Sequence, residues 1–243
     1  LGGGSVTAAL AGPSDPPKAP PAKSEHWGVI DRNTIGSPVA QLRDGPFSPV
    51  ASGEISAPPF GKGSLGIEVE NFSSSTNMAE KVAYGNEVDF LGDPVLGLTQ
   101  VGFYVFQTVE DTQAPANPDN MPNITLEINP QVPGHSYTSM VWDPPPSPTP
   151  DAWSPYMDAT TTGTWYFTGS TGTAVGCSLS TPCTFSGAMA ALQTNNDGTP
   201  PTIYTVAIAK GRDYSWQGAV DGLRINNQIF DFEADGVHAH SAN

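Results

Sequence analysis

The sequence predicts an all-β fold of antiparallel strands packed as a two-sheet sandwich, with one short helix and an extended N-terminal tail. Three observations carry this. Short runs of alternating apolar and polar residues recur between residues 65 and 233, the period-2 signature of strands. The 26 Gly and 25 Pro residues punctuate those runs, and only 14% of residues are charged, a composition that suits loops and strands and is poor for helices. The strands follow one another without regular intervening helices, so they pair antiparallel, and two sheets face to face bury both apolar sides.

Along the chain, residues 1–27 read as an extended N-terminal segment and Pro-rich linker, 28–237 as a single β-sandwich domain and 238–243 as a C-terminal tail. Val6, Thr7, Ala8, Ala9 and Leu10 form a short apolar run on a tether whose prolines keep it extended and unable to build a core. In 65–70, Ile67 and Val69 alternate with Glu68 and Glu70. In 86–90, Val88 and Phe90 alternate with Glu87 and Asp89, which reads as a second strand. Residues 101–109 are apolar on both faces, as a central strand requires. In 124–128, Ile124, Leu126 and Ile128 point one way while Thr125 and Glu127 point the other, and 137–142 is the next strand.

A Pro-rich break follows at 143–150, confined to the surface because proline cannot donate within a central strand. Trp165 and Phe167 mark another strand. Phe185, Ala188, Met189 and Leu192 fall at i, i+3, i+4 and i+7 behind Thr184, a good N-cap, and predict a helix ending near Asn195. Residues 202–233 read as two or three adjacent closing strands, with the Asn226-Asn227 pair as their turn because asparagine tolerates the left-handed conformation.

The formal charge of −15, from nine basic and 24 acidic residues, opposes binding to nucleic acid and to anionic membranes. No apolar run approaches the roughly 20 residues of a membrane span. The chain begins at Leu1, which suits a secreted protein whose signal or leader peptide has been removed. Cys177 and Cys183 flank five residues. The expectation is a local disulfide formed in an oxidising, extracellular compartment, with two reduced thiols as the alternative.

Catalytic patterns are weak. Gly61-Lys62-Gly63-Ser64-Leu65-Gly66 spells GxGxxG, but a strand rather than a helix follows, so it is a Gly-rich entry loop and not a phosphate cradle. No GxSxG is present, and His26, His135, His238 and His240 lie away from any nucleophile signature. The pairs Glu68 and Glu70, Glu87 and Asp89, and Asp231 and Glu233 stand at i, i+2, about 6.5–7 Å apart along a strand, a spacing that glycoside hydrolysis could use and that any wet acidic sheet face also shows. Asp221, Asp231, Glu233 and Asp235 gather near the closing strands and are candidate ligands for a structural calcium ion, which takes six to eight oxygens. Trp153 and Trp216 sit in loop-like contexts and are candidate sugar-stacking platforms.

The order of strand, Pro-rich loop, Trp165-Tyr166-Phe167, cysteine-flanked loop, short helix, Val220-Asp221-Gly222-Leu223-Arg224-Ile225 and Phe230-Asp231-Phe232-Glu233 resembles the C-terminal half of jelly-roll domains of carbohydrate-binding-module type in secreted bacterial proteins. The resemblance implies a jelly-roll topology and transfers no sugar-contacting residue. Two expectations of function follow, neither enzymatic. One is a structural subunit of a filament or surface layer, a homopolymer in which residues 6–10 add as a strand to a neighbouring copy. The other is a secreted carbohydrate-binding or adhesive module that engages polysaccharide through exposed aromatics.

Overall fold

The computed structural model describes residues 23–49, 55–70, 80–112, 117, 119–147, 149–211 and 213–242. The strand expected at Val6–Leu10 lies outside the described residues. In chain order the strands are β1 (Trp27–Val29), β2 (Val39–Asp44), β3 (Ser48–Pro49), β4 (Ile55–Ser56), β5 (Gly63–Val69), β6 (Val82–Asn86), β7 (Val101–Gln107) and β8 (Asn123–Asn129). They continue as β9 (Thr138–Asp143), β10 (Ala152–Trp153), β11 (Met157–Asp158), β12 (Thr164–Phe167), β13 (Thr202–Lys210), β14 (Trp216–Ile225), β15 (Gln228–Glu233) and β16 (Gly236–Ser241). Two helices, α1 (Gly169–Val175) and α2 (Phe185–Asn195), lie between β12 and β13.

Two antiparallel sheets share one core. The six-stranded sheet runs β1-β6-β13-β8-β9-β12. The eight-stranded sheet is built on β14, whose one edge pairs with β7 and whose other edge is divided. Over Trp216–Val220 that edge pairs with β5, and over Leu223–Ile225 it pairs with β15. Strand β5 continues to β2, β15 continues to β16, and β10 and β11 lie beyond β7. The fork falls at Asp221 and Gly222, where the register against β7 shifts. Gly222 has φ +59, and a Cβ there would meet the Phe60 ring at 2.5 Å, so glycine is required. Leu65, Ile67, Phe103, Val105, Val220, Phe230 and Phe232 from this sheet pack on Ile124, Leu126, Trp142, Trp165, Val206 and Ile208 from the other.

The helix expected behind Thr184 is α2, with the Thr184 hydroxyl accepting from the Gly187 N–H at 3.1 Å. Asn226, at φ 56, makes the β14–β15 turn. Four expectations need correction. After Asn86, which ends β6, residues 87–90 are a turn rather than a strand, because the Asn86 carboxamide oxygen accepts from the Val88 and Asp89 N–H groups at 3.0 and 2.8 Å and turns the chain out of β6. β13 and β14 are not adjacent, since they belong to different sheets. Residues 238–241, expected within a C-terminal tail, belong to β16, since Gly236–Ser241 pairs along the whole of β15. α1 was not foreseen, because GSTGTAV has little helix propensity and no apolar period.

Candidate functional site

The strand parity that fills the core also composes the opposite face of the six-stranded sheet. On β8, Ile124, Leu126 and Ile128 face the core and leave Asn123, Thr125 and Glu127 outward. On β9 and β12, Met140, Trp142, Trp165 and Phe167 face inward, leaving Ser139, Val141, Thr164 and Tyr166 outward, with the exposed Asp143 at the end of β9. On β13 and β6 the outward residues are Thr205, Ala207, Ala209, Ala83 and Gly85. Ile30 packs on Ala83, Ala207 and Ala209 and, with Arg32 and Asn33, covers that half. The β8–β9–β12 half keeps Asn123, Thr125, Ser139, Thr164 and Tyr166 partly exposed, a strip of hydroxyl and amide groups around one ring.

Glu127 anchors the end of this strip. It is 2% exposed, and a carboxylate so buried must be bonded on both oxygens. Its Oε1 accepts from Asn33 Nδ2 at 2.8 Å and from the Tyr137 hydroxyl at 2.7 Å, and its Oε2 accepts from the Arg32 guanidinium. Arg32 also donates to Thr205 Oγ1 at 3.3 Å and pairs with Glu87. Burial pushes the Glu127 carboxyl up, but the donors Asn33, Tyr137, Thr205 and Arg32 together outweigh it and hold the pKa below the ordinary value. The Tyr137 phenol is raised by burial and by its bond to Glu127. Glu127 is therefore ionised at neutral pH and fixes three side chains from separate parts of the chain.

One of those three is exposed. Tyr137 shows 53% of its surface to solvent and stacks on Tyr204, centroids 6.4 Å apart and planes at 16°. The Tyr204 hydroxyl donates to the Ser136 carbonyl at 3.3 Å. A ring pair held this way loses little rotamer freedom when something settles on it. These tyrosines were read from the sequence only as strand residues. The signal available was Glu127 itself, an acid on a strand whose other outward residues are neutral.

Of the two tryptophans expected to stack on sugar, Trp216 lies in the core. Trp216 is 1% exposed, because it starts β14 on the core-facing side opposite Val69 with its ring over Gly218. Trp153 is half-buried against Phe106, and its indole N–H donates to the Pro46 carbonyl at 3.1 Å. Cys177 and Cys183 are bonded to each other as expected.

The candidate calcium ligands are engaged separately. Asp221 accepts from the Phe232 N–H on Oδ1 and the Phe60 N–H on Oδ2, both at 3.1 Å, and so ties together the two branches at the fork. Burial is the main cause that raises its carboxyl to about 7. Glu233 Oε1 accepts from the Lys62 and Gly63 N–H groups at 2.7 and 3.1 Å, so the GxGxxG loop does cradle an anion, the chain's own carboxylate. Asp231 lies 3.2 Å from His240 Nε2, and Asp235 3.3 Å from His238. Among the described residues no group of three or more His, Cys, Asp or Glu side chains converges to hold a metal ion.

Of the carboxylate pairs, Glu87 and Asp89 are split between separate partners, whereas Glu68 and Glu70 stay together. Glu87 pairs with Arg32 and Asp89 with His26, while Glu68 and Glu70 line a cavity of about 150 Å³ with Glu110 and Asp111. Asp111, raised to about 6 chiefly by burial, accepts from the Thr108 and Gln217 N–H groups and fastens β7 to β14. His135 Nδ1 lies 3.3 Å from Ser170 Oγ and Thr171 Oγ1 and joins the β8–β9 hairpin to α1. Comparison with protein-family models, curated proteins and solved structures returns no match, so geometry carries the functional reading.

Proposed function

We propose that this protein is a secreted, non-enzymatic carbohydrate-binding module on a jelly-roll sandwich, and that its glycan face is the open half of the six-stranded sheet. The observation that carries the reading is Tyr137, exposed yet fixed by its bond to buried Glu127 and stacked on half-buried Tyr204, beside a strip of hydroxyl and amide groups. Sugar recognition uses this combination: an aromatic face for the C–H face of the ring and planar polar groups for the hydroxyls. With a net charge of −15, the protein repels polyanions, so the glycan is uncharged. The Cys177–Cys183 bond suits an extracellular setting. Electrophoresis through gels containing neutral polysaccharides tests this. The protein is retarded by at least one gel, and Tyr137→Ala and Tyr204→Ala restore its mobility. Unretarded migration in every gel overturns the reading.

A further inference from the structure

Tyr166 belongs to two surfaces. On β12 it stands outward beside Val141, within the polar strip. It also lines an open cavity of about 490 Å³ between β12, α1 and the turn that follows Cys177. Tyr166 therefore borders both the cavity and the proposed glycan face.

Its chemistry is distinctive for so acidic a chain. Among the described residues no charged side chain lines it; the walls include the hydroxyls of Thr168, Thr173, Ser178 and Ser180, the Tyr166 ring and Leu179. Leu179 is 67% exposed, a large apolar side chain held out in water at the rim. The turn that presents it is built rather than loose. The Thr181 N–H donates to the Ser178 carbonyl at 3.0 Å, and the Ser178 and Thr181 hydroxyls are 2.9 Å apart. Cys183 exchanges two 2.8 Å backbone bonds with Trp165, and the Phe167 N–H donates to the Cys177 carbonyl at 2.9 Å. Both ends of the turn are thus hydrogen-bonded to the β12 edge and disulfide-bonded to each other.

The spacing relates this cavity to the tyrosine pair. Val141 is four residues along β9 from Tyr137, and Tyr166 is one strand further, which places Tyr166 roughly 14 Å from Tyr137 by strand rise and spacing. A single sugar ring cannot touch both, but an extended oligosaccharide can.

We infer that the cavity is a second glycan subsite, with uncharged hydroxyl groups and an apolar rim, and that the module reads linear neutral oligosaccharides running from Tyr137 and Tyr204 to Tyr166 and Leu179. The inference rests on the tyrosine pair being the first subsite. Calorimetric titration with ladders of β-1,4-linked glucose and of β-1,4-linked xylose, disaccharide to hexasaccharide, tests it. Wild-type affinity rises about tenfold or more with length, since the second contact is made intramolecularly. Leu179→Asp abolishes that rise and leaves disaccharide affinity unchanged, and Tyr166→Ala abolishes the rise as well, whereas Tyr137→Ala weakens every length. Because Leu179 is exposed, Leu179→Asp leaves the fold intact and keeps the test valid should Tyr166→Ala destabilise β12. Affinity independent of length, or a length gain that survives both variants, overturns the second subsite while the first stands. Absence of binding to either ladder overturns the second subsite, and the first falls with it when no neutral polysaccharide gel retards the protein.

Discussion

Replacing Glu127 with glutamine asks whether one buried carboxylate fixes the exposed tyrosine. In the wild type it accepts from Asn33, Tyr137 and Arg32. The Arg32 side chain is half exposed, so its ion pair is screened and counts for little. The Asn33 and Tyr137 bonds are shielded and end on a charge, and glutamine must turn its NH₂ group towards at least one existing donor. Weakening two such bonds costs about 2–3 kcal/mol. For a chain of this size that lowers Tm by roughly 4–10 °C at neutral pH. The sign with pH follows from the lowered carboxyl: its stabilisation is fully present above the unfolded value of 4.5 and is lost as pH falls through the lower folded value. Thermal melts of wild type and Glu127→Gln should therefore converge in strong acid. The freed Tyr137 ring also weakens glycan binding. A Tm gap below 1 °C at pH 7, or an undiminished gap in acid, refutes the claim that the ionised carboxylate organises this corner.

Three further outcomes follow from other parts of the fold. With Asp221 raised to about 7, its burial makes the folded state lose stability as pH climbs from 3.8 towards 7, at up to about 1.4 kcal/mol per pH unit. Asp221→Asn removes that slope in urea titrations while losing one of the two backbone bonds at the fork. The double substitution Cys177→Ser with Cys183→Ser, which opens a loop of sequence separation 6, costs about 2 kcal/mol by chain entropy, read from the same titrations. Strand β16 ends the eight-stranded sheet with an open outer edge among the described residues. If copies polymerise through Val6–Leu10, light scattering finds polymers of the full chain and monomers once residues 1–12 are removed; polymers persisting after the deletion rule that route out.

Much of the scaffold was legible because it is written locally. The alternation in β8 and β13, the Thr184 cap of α2 and the Asn226 turn each need only neighbouring residues. Residues 86–90 misled because Val88 and Phe90 alternate as a strand would, while a side-chain bond from Asn86, invisible to periodicity, turns the chain. The passage from β13 to β14 between sheets is a tertiary choice with no local mark. The site was harder still. Glu127 meets Arg32 and Asn33 across 95 and 94 residues, so neither partner could be assigned from spacing. Trp216 looked loop-like from its neighbours, yet its place opposite Val69 puts it in the core.

The most direct test of the glycan face is calorimetric titration of the wild type, Tyr137→Ala and Tyr204→Ala with the neutral polysaccharide that retards the protein best. Each alanine variant should lose at least about tenfold in affinity, or 1.4 kcal/mol, with Tm within a few degrees of wild type. Wild-type affinity retained by both folded variants would contradict the account.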